Sequence, residues 1–345
     1  MHMPCLLPDE FLPGYLGRVA RLNGIASGYE MKIRVKVGRH PQQPTRLAIE
    51  WLAQASQMSL DVLIQQHTLI SLFRAVREEG CGAHHDDRNT IKQYGMGLPS
   101  KRAQLCHECV TEDQAFWGFS YWRRSHQVPG VSWCTKHETP LNRTTQCADL
   151  FSFPEEALRA DDLATFERAD LTTSTRRYAD ISMGLLDLSC PLPTVQVALR
   201  IQAQARRLGL RTSRRGKHDN VSDYVLAKMP TPWLLDHFPA LANKVAAQHV
   251  SSIDGVCNAN RVAFRSSTYA LVAAALYGSA DEALIEITSP LTDAERTYIA
   301  SRADFRTAAQ IGNALQTKLR LKKHIRREYP TLRKCYMHGA GFRTA

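Results

Sequence analysis

The chain has 345 residues, 44% hydrophobic and 22% charged, a composition of soluble globular proteins with room for two or three separate cores. Its longest apolar run, Tyr269 to Tyr277, is far too short for a membrane span, and the opening Met-His-Met-Pro-Cys-Leu-Leu-Pro lacks a secretory signal pattern, so a cytoplasmic protein with no membrane partner is expected. The formal charge of +11 favours a polyanionic partner over a solvated basic surface only where the cations cluster.

Along the chain, the first section reads as helical. Tyr15, Leu16, Val19 and Leu22 share one helical face, and Asn23-Gly24 is a stop signal. Between Leu47 and Leu72, two apolar faces (Ile49, Leu52, Ala53, then Val62, Leu63, His67) flank the turn Met58-Ser-Leu-Asp61, the pattern of a short helix-turn-helix. Its second helix has almost no basic residues, which suits packing better than reading DNA. Cys81, His84 and His85 form a second ligand-type group in a glycine-rich, charged stretch, where composition alone explains them as readily as a metal.

The densest chemistry follows. Cys106-His-Glu-Cys109 and Cys134-Thr-Lys-His137 each place two ligand types three residues apart, so three thiolates and an imidazole can close around one structural, tetrahedral Zn2+. Phe116, Trp117, Phe119, Tyr121, Trp122 and Trp133 offer bulk for a small core beside it. His107 and His126 compete with His137 as the fourth ligand, and His137 is preferred because its spacing mirrors the first pair. A catalytic zinc needs an open coordination position and is disfavoured. Nine cysteines, an odd number, suit one metal site plus free thiols, with Cys5, Cys190, Cys257 and Cys335 read as small buried or half-buried hydrophobes.

Pro154 starts an acidic, linker-like stretch, after which the pattern is again helical, with Gln196 to Leu208 strongly periodic up to Gly209. Six cations fall between Arg206 and Lys217, Arg214 and Arg215 among them, and the helix dipole accounts for part of that cluster. Thr292-Asp-Ala-Glu295 is a capping box. It opens a candidate helix-turn-helix over about 292–330, whose last helix carries Arg320, Lys322, Lys323, Arg326 and Arg327 outward. These are candidate phosphate contacts on DNA; a solvated amphipathic helix is the competing reading. No phosphate loop, Gly-x-Ser-x-Gly or dinucleotide fingerprint is present, and a non-enzymatic protein is expected.

The fold class that follows is mainly α, a multi-domain, helix-turn-helix-like helical protein with a small inserted Cys3His zinc module. The expected domains are 1–98, 99–148 and 149–345. Read together, Pro8-Asp-Glu10, Tyr15-Leu-Gly-Arg-Val-Ala-Arg-Leu-Asn-Gly24, His67-Thr68, Leu105-Cys-His-Glu-Cys109 and Tyr121-Trp-Arg-Arg-Ser-His-Gln-Val-Pro-Gly-Val-Ser-Trp-Cys-Thr-Lys-His137 resemble the TniQ/TnsD family of transposon target-selection proteins. The resemblance is specific over 8–141 and patchy beyond 150. It implies an adaptor that commits a transposition complex to a DNA site, linking site recognition to an AAA+ ATPase and its transposase. Some such relatives read DNA directly; others dock on an RNA-guided CRISPR complex, often as homodimers. The metal roles of Cys106, Cys109, Cys134 and His137 carry over by position. A second metal ribbon found in many relatives is reduced here to Cys147. The competing functions are a helix-turn-helix transcription regulator with an accessory zinc module, a metal-dependent nuclease, and a protein-only docking module.

Overall fold

The computed structural model describes residues 2–27, 30–31, 47–78, 88–96, 102–145, 150–160, 163–165, 171–212, 219–258 and 263–297. It divides into two compact units, Met1–Ser289 and Pro290–Ala345. The expected boundaries near 98 and 148 both fall inside the first unit. The chain is mainly helical, as its periodicity predicts.

The N-terminal part is built from α1 (Leu12–Leu22), α2 (Ala48–Ala55), α3 (Leu60–His67), α4 (Ile70–Phe73) and α5 (Arg88–Tyr94). Pro13 sits in the first turn of α1, where its missing N–H costs nothing. Tyr15, Leu16 and Val19 are buried as expected, but Leu22 is 56% exposed because α1 ends there and Asn23-Gly24 turns the chain away. The helix pair read between Leu47 and Leu72 is present: Ser59 caps α3 by accepting from the Val62 N–H, and Ile49, Leu52, Ala53, Leu63 and His67 are buried. These helices share one core cluster with Ile25, Met31 and Ile91.

A second core cluster takes in Phe11, α4 and β1 (Val76–Arg77) and runs through the metal segment into the C-terminal helices. The metal segment contains β2 (Gln104–Leu105), α6 (His107–Trp117), a 3-10 turn at Ser125–Gln127 and β3 (Asn142–Thr144). Its Cys106, Cys109, Val110, Trp122 and Cys134 pack in the same cluster as Tyr178, Ile181 and Leu185 of α8 (Thr173–Leu186) and the whole of Tyr269 to Leu276 in α13 (Ser266–Leu276). The apolar run that was too short for a membrane is thus a helix buried on every side. Between α8 and α13 lie β5 (Leu192–Pro193), α9 (Thr194–Arg207), α10 (Val221–Lys228), α11 (Thr231–His237) and α12 (Ser251–Asp254); α14 (Ala280–Thr288) follows. Gly209 takes φ +74 just after α9, ending the helix where the sequence places its stop.

Two sequence expectations change here. The stretch from Pro154 is no linker: it forms α7 (Pro154–Arg159), with proline at N1 and Glu155 and Glu156 in the first turn, where the helix dipole favours acids. Glu155 is buried and accepts from the Ser120 N–H at 3.2 Å, while Glu156 pairs with Arg21. After α7, β4 (Leu163–Thr165) joins an antiparallel sheet of order β2-β3-β4. The lone cysteines also differ: Cys257 is buried, but Cys5 and Cys190 are exposed. In the second unit, the capping box at Thr292 is formed, with Glu295 Oε2 accepting from the Thr292 N–H at 2.8 Å and Thr292 Oγ1 accepting from the Glu295 N–H at 3.3 Å.

Candidate metal centre

Cys106 is the N-cap of α6 and Cys109 lies in its first turn, so the first ligand pair is the opening of a helix. The second pair lies in the tip of a hairpin. Cys134 N–H donates to Thr139 O and Glu138 N–H to Cys134 O, both at 2.8 Å, while Trp133 bridges Pro140. Glu138 adopts φ +57 to make that tight reversal. Pairing of β2 with β3, Leu105 opposite Asn142, brings the two pairs together, because one strand leads into Cys106 and the other leaves the hairpin.

The Sγ atoms of Cys106, Cys109 and Cys134 and the Nδ1 of His137 all lie within 4.8 Å of one another. His137 Nδ1 is 3.4, 3.3 and 3.6 Å from the three sulfurs in that order, and Cys109 Sγ is 3.7 Å from Cys134 Sγ. A tetrahedral ion with bonds of about 2.3 Å to sulfur and about 2.0 Å to nitrogen sets edges of about 3.5–3.8 Å. The donor set therefore fits such an ion, and among the described residues this is the one group of its kind.

The surroundings orient the donors. His137 Nε2 is 2.9 Å from Glu112 Oε1, and Lys136 pairs with the same carboxylate. Desolvation opposes protonation of His137, but Glu112 and the thiols outweigh it and push the imidazole up to about 9. A bound ion would take the place of the Nδ1 proton, leaving the Nε2–H to donate to Glu112, an arrangement that fixes the ring and its tautomer. Hydrogen bonding from Cys106 pulls the Cys134 thiol down, whereas hydrogen bonding to Cys106 and Cys134 pushes Cys109 up. Without a cation, three thiolates cannot share this space. His126 is buried with Nε2 3.8 Å from Cys109 Sγ, and burial lowers it to about 4, so it stays neutral. Of the rival histidines in the sequence, the geometry gathers His137 with the three cysteines and leaves His126 beside a single sulfur. His107 is exposed on α6. Glu112 and Thr139, whose Oγ1 is 3.6 Å from Cys106 Sγ, had no sequence signal, since their role exists only once the hairpin folds over the helix.

The expected aromatic core is only half realised. Tyr121 and Trp122 are buried, but Phe116 is 77% and Trp117 41% exposed. The buried residues of α6 are Cys109, Val110 and Asp113, and its last turn, Ala115 to Trp117, is exposed.

The segment is tied to the N-terminus by the motif at Pro8-Asp-Glu10. Phe11 N–H donates to Trp122 O at 2.7 Å, and Arg124 N–H to Asp9 O at 2.7 Å. The Asp9 carboxylate holds Ser125 through its N–H and hydroxyl and Arg124 through Nε. Arg124 also reaches Gln65 O of α3 and Asp187 after α8. Glu10 receives Arg18 bidentately, at 2.9 and 2.7 Å, in a fully buried pair, and its carbonyl is 2.8 Å from His67 Nδ1. The family-like motifs between residues 8 and 137 therefore enter one connected framework around the metal centre.

Residues 2–141 match the family model for TniQ. This segment belongs to the TniQ family. Comparison with curated proteins gives no match. In the TniQ segment, the metal corners and the clamp formed by Asp9, Glu10, Arg18 and Arg124 lie on neighbouring elements, so positioning one positions the other. The candidate DNA contacts Arg214, Arg215, Arg320, Lys322, Lys323, Arg326 and Arg327 lie outside the described residues, as do Cys81, His84, His85 and Cys147. Of the first basic cluster, Arg206 is exposed, Arg207 lies 3.6 Å from Glu286, and Arg211 donates to Ala247 O. Among the described residues, no helix is long and apolar enough to cross a membrane.

Proposed function

We propose that this protein is a non-enzymatic, DNA-targeting adaptor in transposition, which links a chosen DNA site to an AAA+ ATPase regulator and its transposase. The TniQ match over residues 2–141 carries the reading, because membership of that family implies a target-selection role in transposition. The net charge of +11 supports contact with DNA. The metal of the Cys3His centre is Zn2+, the ion best suited to three thiolates and an imidazole in a closed tetrahedron. Held by Cys106, Cys109, Cys134 and His137, it would supply folding energy and a fixed shape, with no open position for substrate.

In an otherwise complete element, deleting this chain should abolish insertion at the chosen site while leaving ATPase and transposase able to act elsewhere. Insertion at the same site and frequency without it would sink the adaptor reading. Tight, site-specific DNA binding by the chain alone, with no dependence on the ATPase, would favour the transcription-regulator alternative instead.

A further inference from the structure

A cavity of about 340 Å³ lies beside the metal centre. Its wall includes two of the four donors, Cys109 and Cys134, with His126 next to them, and all three are buried. The other two donors, Cys106 and His137, are not part of that wall. Thr135, Lys136 and Asp187 also line the cavity and are exposed, so it joins solvent to two sulfurs of the centre. Those sulfurs come from different elements, the first turn of α6 and the 132–141 hairpin, and stand 3.7 Å apart. A disulfide needs them to close to about 2.05 Å.

The wall decides what can enter. Its cations are already matched: Arg123 with Asp113 at 2.6 Å, Arg124 with Asp9 at 3.2 Å and Asp187 at 3.0 Å, and Lys136 with Glu112. An ionic visitor would have to break one of these pairs, whereas a small neutral molecule leaves them intact. At the inner end such a molecule meets sulfur. Metal ligation keeps cysteine as the thiolate, the form that attacks oxidants. Hydrogen peroxide is small and uncharged, with a weak O–O bond that a thiolate can break.

We infer that Cys109 and Cys134 form a reversible, peroxide-responsive thiol pair, reached through this cavity, whose oxidation opens the metal centre. One thiolate attacks a peroxide oxygen and the O–O bond breaks, leaving a sulfenic acid and a hydroxide that is protonated to water. The second thiolate attacks the sulfenic sulfur, forming the S–S bond and releasing a second hydroxide, likewise protonated. The two sulfurs together lose two electrons, and the peroxide gains them. Cys106 and His137 remain as donors, and two ligands do not hold a site built for four. A dithiol reductant returns both thiols and restores the donor set. This chemistry goes beyond the adaptor reading and needs no part of it.

The test is to treat the metal-loaded, full-length chain with hydrogen peroxide, following metal release with a chromogenic chelator and mapping cysteines by alkylation and mass spectrometry. One ion should be released for each disulfide formed, with Cys109–Cys134 the principal pair. Dithiothreitol with added Zn2+ should then restore metal content and the protease resistance of residues 102–145. Cys257 is an internal control, because burial pushes its thiol up to about 12 and keeps it protonated. It should stay unmodified while the metal leaves; oxidation of Cys257 at the same rate would make unfolding the cause and overturn the inference. The exposed Cys5 and Cys190 supply a second control. Cys5→Ser/Cys190→Ser should release metal at the wild-type rate, and release about tenfold slower would trace the chemistry to those thiols instead. Retention of metal after Cys5 and Cys190 are fully oxidised overturns the inference, as does a principal disulfide that includes Cys106.

Discussion

Arg18 and Glu10 form the buried ion pair on which the N-terminal motif turns, with side chains 7% and 0% exposed. Burial pushes the Glu10 carboxyl up against the pull of Arg18, so the pair is costly to bury and costlier to break. Arg18→Ala should destabilise the chain by about 3–5 kcal/mol, measured by denaturant unfolding, because it strands a carboxylate. Arg18→Met with Glu10→Gln should recover much of that loss; equal damage by both variants would exclude a stranded charge as the cause. His67 behaves differently. Desolvation holds its imidazole below the ordinary 6.5, with the bond to Glu10 O opposing. Its folded value lies below its unfolded one, so its stabilising contribution is full above about pH 6.5 and shrinks as pH falls below that. Between pH 7 and 5.5, wild type should lose more thermal stability than His67→Gln, at up to about 1.4 kcal/mol per pH unit, and parallel losses would exclude His67 as the cause. At the metal, Glu112→Gln removes the carboxylate behind His137 and should weaken metal affinity about 10–100-fold in a chelator competition. Of these groups Arg18, Glu10 and His67 stood in motifs the sequence displayed, whereas Glu112 is 25 residues from His137 and meets it through the hairpin.

Helix α6 and the 132–141 hairpin contribute two donors each, and neither element is held to the other at the centre except through those donors and the side chains behind them. Binding and folding of such a site are coupled. Stripping the metal with a chelator, or substituting Cys109→Ser or Cys134→Ser, should expose residues 102–145 to protease and lower the metal content by one equivalent. Retention of both would overturn the site. Helix α1 depends on its glycines in a related way. A Cβ on Gly17 would lie 2.4 Å from Leu150 O, and one on Gly14 would lie 2.8 Å from Trp122 Cβ, so α1 lies flush against the segment on either side of β3. Helical periodicity located α1, α2, α3 and α9 in the sequence because each has one clear apolar face. It misread α7, whose helical signal is proline and two acids at an N-terminus rather than a stripe.

Across the whole molecule, 44 cations against 33 acids are the strongest hint of function outside the TniQ segment. If Lys322, Lys323, Arg326 and Arg327 meet phosphates, changing all four to Ala should weaken duplex binding. Its dependence on salt should also flatten, by up to about 0.9 for each phosphate no longer neutralised. An unchanged salt slope would return that cluster to a solvated surface. The first unit behaves as a joined body: β1 pairs in parallel with β5, Leu192 N–H reaches Ala75 O at 2.7 Å, and the metal segment shares its core with α8 and α13. Sequence position alone suggested separate modules, because burial that crosses between distant segments leaves no local pattern.

What the sequence determined by itself was the helical class, the Cys3His donor set and the family, since periodicity, ligand spacing and motif order are all local properties of the chain. Tertiary structure gathered His137, and not His126, with the three cysteines, and alone decided which carboxylate stands behind it and that Asp9, Glu10, Arg18 and Arg124 form one clamp. It also turned Phe116 and Trp117 outward from the core they were expected to fill. These outcomes depend on how a helix, a hairpin and an N-terminal segment meet in space, and distance between side chains is not written in their spacing along the chain.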